Sequence, residues 1–349
     1  MIRIATTLAA SLLVGAAAAQ HPERTRHPVP ASEQWLNYDG KKDLPGNGKL
    51  IVLVAAEQEY RSEQGMPMLA KVLSTHHGFD CTVLFAQRDG KVDPTQSTPP
   101  SKDDENVKFH DIPGLEHLAK ANLLILFNRF MTLPEEQLGN LIDYFDSGKP
   151  LIGIRTANHG FSGPFPYKID GKKVRFGDDM LGGAFRGHHG GWHREATRGI
   201  IIDKNKDHPI LRGVTDVFGP SDVYRMYGKG KSLPERCTPL LLGQPLTGLG
   251  HDDPPNKKKE ALPIAWTTTW TTSKKQTARV FHVTMGSARD YQSAGLRRLT
   301  CNAAYWCLDM ADKIDAKNSV AIIGDYQPLK SGFNYEKLGV IPRPVSHYK

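Results

Sequence analysis

Residues 49–56 read KLIVLVAA. From Leu50 onward the run is wholly apolar and rich in β-branched residues, so it has no polar face to offer water. Such a run suits a strand covered on both sides, as in a parallel sheet. EQGMPMLAKVLSTHH follows at 63–77, with Met66, Leu69, Val72, Leu73 and His76 at helical spacing. FDCTVLFA at 79–86 is a second strand, PGLEHLAKA at 113–121 a short helix opened by proline, and NLLILFNRF at 122–130 a third buried strand. PEEQLGNLIDYFDSG at 134–148 is a helix with Pro134 in its first turn, early acids suited to the dipole, and Gly148 to stop it. PLIGIRT at 150–156 is a fourth strand.

Strand and helix thus alternate at short spacing, which implies right-handed βαβ crossovers. The expected fold class is α/β: a flavodoxin-like, doubly wound, mostly parallel sheet in three layers. Between residues 158 and 198 the text becomes rich in glycine, aromatics and histidine, without a period; a loop this long in a compact domain is usually functional. Regularity returns with GIIID, PLLLGQPL, LPIAWTTTW and RVFHVTM, then a helix from Ser293 to Met310. SDVYRM at 221–226 alternates as a short strand would, and Asp207 stands as a helix cap ahead of Pro209.

The chain opens with MIRIATTLAASLLVGAAAAQ, which reads as a secretory signal peptide over 1–19 cleaved near Ala19. Export to the periplasm or the exterior is the expectation, with residues 20–47 as a linker or wrapping arm. No later run is long enough to span a membrane. At 39% hydrophobic and 23% charged the composition is globular. The net charge of +8 lies in short clusters such as Lys172–Lys173 and Lys257–Lys259, which read as solvated faces. No aromatics interleave them, so no nucleic acid is expected, whereas contact with an acidic polysaccharide or the envelope stays open. Cys301 and Cys307 lie about 9 Å apart on one helix, too far for a disulfide. Cys81 reads as a buried thiol, and a bridge from Cys237 is left open.

In doubly wound sheets ligands bind beyond the carboxyl ends of the strands. Polar groups gather there: Glu57, Glu59, Tyr60 and Arg61 after the first strand, Asn128 and Arg129 after the third, and Arg155, Thr156, Asn158 and His159 after the fourth. A dinucleotide fingerprint, a phosphate loop and a zincin motif are all absent, and GKGKS at 228–232 lacks the first glycine of a phosphate loop. GIRTA at 153–157 has the look of a nucleophile elbow, but its reactive slot holds Arg155, a guanidinium that cannot attack carbon. Arg155 can hold an oxyanion or serve as a buried ion-pair partner. RGHHGGWHRE at 186–195 packs three histidines around two glycines. Three readings stay open for it: a divalent metal site such as zinc, metal-free catalysis or sugar contact, and a structural polar loop. His208 and Asp290 read as structural groups, the latter as a cap.

EYRSE, NRFMTLPEEQ, GIRTANHGF, GHHGGWHREATRGI, HPILRGV, SDVYRM and VFHVTMGSARDYQSAGLRRLTCNAAYW, taken together and in this order, resemble the trehalose-utilisation or ThuA-like family. The likeness is greatest to its exported, carbohydrate-associated bacterial members. It implies an α/β domain over 48–312 with a surface tail at 313–349, and a fold similar to class I glutamine amidotransferases without the cysteine nucleophile. It also implies a small carbohydrate ligand, often beside dehydrogenases that make 3-keto sugars. Many relatives carry histidine where this chain has Arg155. The expectation is an enzyme of oxidised sugars, with His159 or His189 as acid or base and Arg155, aided by Arg129, holding an enolate oxygen. Glu59, Tyr60, Asn128, His188, Trp192, His193 and Asp222 would contact substrate. The alternatives are a metal-dependent hydrolase and a non-catalytic carbohydrate-binding protein.

Overall fold

The computed structural model describes residues 29–98, 109–162, 165–227 and 233–349. The leader at 1–19 and GKGKS lie outside these residues. Ten strands form one sheet. In chain order they are β1 (Trp35–Tyr38), β2 (Leu50–Ala56), β3 (Asp80–Phe85), β4 (Leu123–Asn128), β5 (Leu151–Ile154), β6 (Thr197–Ile201), β7 (Phe218–Gly219), β8 (Thr238–Pro245), β9 (Leu262–Thr271) and β10 (Thr277–Val283). The helices are α1 (Ser62–His77), α2 (Glu135–Asp146) and α3 (Ala294–Cys307).

Across the sheet the order is β1-β3-β2-β4-β5-β10-β9-β8-β6-β7. The middle strands, from β3 to β10, are parallel, and both flanks are antiparallel. The sheet is therefore mixed, with a doubly wound parallel centre.

Why β2 is apolar throughout follows from what covers it. Ile51, Leu53 and Ala55 pack in one core with Met66, Leu69 and Val72 of α1 and Leu296 and Leu299 of α3. Val52, Val54 and Ala56 pack in a second core with Leu141, Tyr144 and Phe145 of α2. Alternate side chains of a strand point to opposite faces, so two helical layers sandwich the sheet. β2 lies between β3 and β4, with Ala56 registered opposite Asn128. The chain first steps to one side of β2 and then to the other, so the strand order reverses at this point, opening the crevice where such folds bind ligands.

Several expectations change. The arm is partly sheet: β1 pairs antiparallel with β3 along the edge, and Leu36 is buried in the core with α1. PGLEHLAKA yields only a 3-10 turn at Leu115–Ala119, because Gly114 takes a left-handed φ of 91° ahead of it and β4 begins at Leu123. SDVYRM forms no strand; Tyr224 makes a single bridge with His188. The cap before Pro209 is His208, whose Nδ1 accepts from Ile210 N at 3.2 Å, since Asp207 stands one residue too early. Cys81, Cys237, Cys301 and Cys307 are all buried free thiols. Among the described residues no helix is long and apolar enough to cross a membrane.

Because Leu36 is 6% exposed, Leu36→Ala is expected to lower unfolding free energy by about 2–5 kcal/mol, as buried leucine truncations do. Denaturant titration checks this, and an unchanged midpoint would show that the arm is only a linker.

Candidate active site

The loop leaving β2 is fixed by its own acid. Glu57 accepts from the backbone nitrogens of Glu59, at 2.7 Å, and Tyr60, and Ser62 Oγ accepts from Glu57 N at 2.9 Å. Burial, and then the neighbouring Glu59 carboxylate, push Glu57 up to about 7. Glu59 faces outward to the histidine-rich loop, where its Oε1 accepts from Trp192 Nε1 at 2.6 Å and His193 Nε2 at 3.0 Å. Burial alone would raise Glu59, but the hydrogen bonds from His193 and Trp192 hold it below the usual carboxylate range.

At the end of β5 the elbow suggested by GIRTA is present. Ile154 is extended, Arg155 has φ of 42°, and a 3-10 turn runs from Arg155 to His159. A positive φ at a non-glycine residue is costly and persists only when the surroundings enforce it. Here the guanidinium enforces it. Arg155 is fully buried; its Nη1 donates to Thr284 O at 2.7 Å and its Nη2 to Asp222 Oδ1 at 3.0 Å. The ring centroids of Tyr60 and Tyr224 lie 3.9 and 4.3 Å from the guanidinium carbon. Burial opposes its charge, yet Tyr224, Tyr60, Asp222 and Asp290 hold its pKa well above the ordinary value. With both terminal nitrogens engaged inside the protein, Arg155 is placed to support the site from behind, and the expected direct hold on an enolate oxygen does not fit.

The other oxygen of Asp222 receives His188 Nδ1 at 2.7 Å. Asp222 is buried, while the His188 side chain is 36% exposed. A buried carboxylate thus orients a half-exposed imidazole and is itself held by a buried guanidinium. The segment carrying Asp222 is pinned in turn, since Ser221 N donates to Asp290 Oδ1 at 3.0 Å. Asp290 Oδ2 accepts from Gly286 N and Ser287 N, both at 2.9 Å. Asp290 is therefore a clamp between two loops; the cap of α3 is Ser293.

The three histidines of the loop diverge. His188 meets Asp222, His193 meets Glu59, and His189 Nε2 lies 2.9 Å from Glu260 O. The proposed base His189 thus points away from Arg155, and His188 takes its place at the cluster. Among the described residues no group of three His, Cys, Asp or Glu is arranged to hold a metal ion.

His159 packs against Phe130, Phe185 and Tyr224, which also brings it beside His188, since Phe185 and Tyr224 touch both rings. Burial, then the cations Arg129 and Arg155, hold its pKa well below the usual imidazole value. A buried relay sets its tautomer. His282 is kept neutral, its pKa lowered by burial to about 3. Its Nδ1 lies 2.8 Å from Gly153 O, an acceptor only, so Nδ1 carries the proton and Nε2 is bare. That bare nitrogen accepts from Asn158 Nδ2 at 3.3 Å. The amide oxygen of Asn158 is then turned to His159 Nδ1, 2.6 Å away, which must donate. His159 therefore carries its proton on Nδ1 and keeps a bare Nε2, while the Nδ1 of His188 donates to Asp222. Asn128 instead closes the elbow, its Nδ2 donating to Gly160 O at 2.9 Å.

The model of the family described as trehalose utilisation matches residues 50–307. The chain belongs to the ThuA family. Two solved ThuA-like proteins resemble it, each at 16% identity. The one from Bacteroides uniformis aligns over 76% of this chain and 92% of its own, with a TM-score of 0.46. The one from Parabacteroides merdae aligns over 86% and 99%, with a TM-score of 0.44. No curated protein matches the sequence.

Within this ThuA chain the structure brings together Glu59, Tyr60, Arg129, Arg155, His159, His188, Trp192, His193 and Asp222, and leaves His189 outside. Sequence reasoning missed Asn158 and His282 as a relay, Asp290 as a clamp, and Phe333 from the C-terminal segment, which lies 6.5 Å from Trp192 between ring centroids. A lone histidine inside the buried strand RVFHVTM was the available signal for His282.

Two outcomes follow from the relay. Long-range proton–nitrogen NMR is expected to place the His159 proton on Nδ1, and Asn158→Leu to move it toward Nε2; an Nε2–H wild type would contradict the relay. The unfolded His282 imidazole titrates near 6.5 and the folded one near 3. The unfolded chain therefore binds the extra proton, and this stability is complete above about pH 6.5 and lost as pH falls toward 3. In His282→Leu the slope of unfolding free energy between pH 6 and 4 should be smaller by up to about 1.4 kcal/mol per pH unit.

Proposed function

We propose that this is an exported carbohydrate-processing enzyme that acts on a 3-keto sugar or glycoside by histidine acid–base chemistry. The observation that carries the reading is the His188–Asp222 pair, fixed from behind by Arg155, which leaves the end of β5 and stacks on Tyr60 beyond the end of β2. The family's trehalose-utilisation description supports a sugar as ligand. Export rests on the leader-like residues 1–19.

A ketone at C3 acidifies the hydrogen at C2. In this reading His188 Nε2 takes that proton while Asp222 stabilises the imidazolium, and the electron pair moves into the C2–C3 bond to give an enolate. The enolate reforms the C3 carbonyl, its C2–C3 pair becomes a C1–C2 double bond, and the C1 substituent is expelled with the C1–O electrons and takes the proton back from His188. His159, held neutral with a bare Nε2, is a hydrogen-bond acceptor beside the same pair. Arg129, with a 17% exposed side chain, replaces Arg155 as the cation for the enolate oxygen. A metal-dependent hydrolase has no comparable support, because the loop histidines diverge.

Incubated with 3-keto-trehalose in deuterated water, the enzyme should exchange the C2 hydrogen and release product. His188→Gln should lower the rate by about 10²–10⁴, the range for a positioned acid–base group. Asp222→Asn should lower it comparably. Absence of both exchange and product in the wild type would falsify the reading, and tight binding without either would leave a carbohydrate-binding protein.

A further inference from the structure

We infer that the C-terminal segment builds a second binding subsite, an aromatic ledge of Trp192 and Phe333 that takes the second pyranose ring of a glycoside. The inference rests on reading the His188–Asp222 pair as the site of the first ring.

The family match ends at residue 307, so Phe333 lies beyond the matched residues. The segment that carries it is fastened along its length. Arg297 Nε donates to Val320 O at 2.6 Å, Tyr326 Oη to Ala288 O at 2.7 Å, and Leu329 N to Gln64 Oε1 at 2.9 Å. Gly332 N donates to Glu59 O at 2.9 Å, and Gly332 O accepts from Arg61 Nη2 at 3.1 Å. Farther on, Val92 and Arg343 exchange backbone bonds of 2.8 and 3.0 Å. Gly332 has φ of 136°, a conformation open to glycine, and a Cβ there would stand 3.4 Å from the His193 ring. The backbone thus passes beside His193, with room for no more than ordinary contact, and delivers Phe333 to the rim.

There Phe333 is 40% exposed and Trp192 43%, with their ring planes tilted by 37°. Single exposed aromatics are ordinary. This pair differs because the indole is held in place: its Nε1–H is already committed to Glu59 at 2.6 Å, which leaves its face rather than its polar edge available. The Arg129 guanidinium stands 4.9 Å from the Phe333 centroid and 4.8 Å from that of Phe130, which adds hydrogen-bond donors at the edge of the ledge. The Trp192 and His188 ring centroids are 6.0 Å apart. An aromatic face beside donors suits a pyranose, whose C–H face stacks while its hydroxyls are bound at the rim. A ring beside His188 and a linked ring on the ledge make the occupant a disaccharide or longer glycoside.

Calorimetric titration of the full chain with glucose and with trehalose tests this. Trehalose should bind more tightly than glucose. Phe333→Ala should weaken trehalose about threefold to tenfold, the scale of one aromatic contact, and leave glucose unchanged, while Phe333→Tyr restores the preference. Equal loss for both sugars, no loss for either, or no binding by the wild type overturns the ledge. The two proposals fail separately. If trehalose binding depends on Phe333 but 3-keto-trehalose is not turned over, the chemistry is wrong and the ledge stands. If turnover depends on His188 while Phe333→Ala keeps the preference, the ledge is wrong.

Discussion

The carboxylate of Asp222 is buried, with one oxygen on the guanidinium of Arg155 and the other on the imidazole of His188. Removing a carboxylate and a guanidinium from water costs several kcal/mol each, repaid only if the geometry is good and the remaining donors are satisfied. Here Thr284 O takes a second bond from Arg155 and the faces of Tyr60 and Tyr224 flank the cation, so both terminal nitrogens are engaged while Nε is left without a hydrogen-bond partner. These contacts draw on the ends of β2, β5 and β10 and on the loops at 221–224 and 186–193. The pair therefore acts as a fastener: five separated parts of the chain must be in place before the charges are covered, and once in place none can shift without exposing one. A hydrophobic replacement could match its stability, but it could not aim an imidazole.

The arginine also explains the backbone beneath it. An elbow ending a strand lifts one side chain above the sheet edge, and its positive φ is strained for any residue but glycine. When that side chain is a nucleophile it faces the substrate. When it is arginine, the chain is long enough to turn inward, reach Asp222 and stay dry. The feature that presents a reactive atom in other folds here supplies a buried counter-ion, and the reactive role passes to the residue that the carboxylate orients on its other side. Asp290 makes the same kind of contribution one step farther out, since its bonds to Ser221, Gly286 and Ser287 set where Asp222 stands.

The parallel centre of the fold was legible because β2 and β4 are buried on both faces and read as unbroken apolar runs, while α1 and α2 carry the helical period between them. The edge strand β1 was not, since four residues with one buried side chain leave no period to detect. At the site, the sheet edge was legible from polar residues ending each apolar run. The division of labour was not. His188 and His189 are neighbours with the same chemistry, and only the bridge between His188 and Tyr224 decides which ring turns to Asp222. Arg155 could be read as facing a ligand or a carboxylate, and the choice depends on Asp222, 67 residues later. Phe333 lies in a segment without a period, so nothing local marks it as part of the rim.

The two imidazoles near this centre are prepared in different ways. His188 is bonded to a carboxylate and reaches solvent, so the proton it gains is stabilised by Asp222 and can be exchanged. His159 is bonded to the neutral amide of Asn158 and stands near Arg129 and Arg155, surroundings that penalise a positive charge. Two identical side chains therefore sit in opposite surroundings, one leaning on an anion and the other on an amide whose orientation is dictated by His282. In this chain the difference between the two rings is built from second partners, Asp222 with Arg155 on one side and Asn158 with His282 on the other, rather than from the imidazoles themselves.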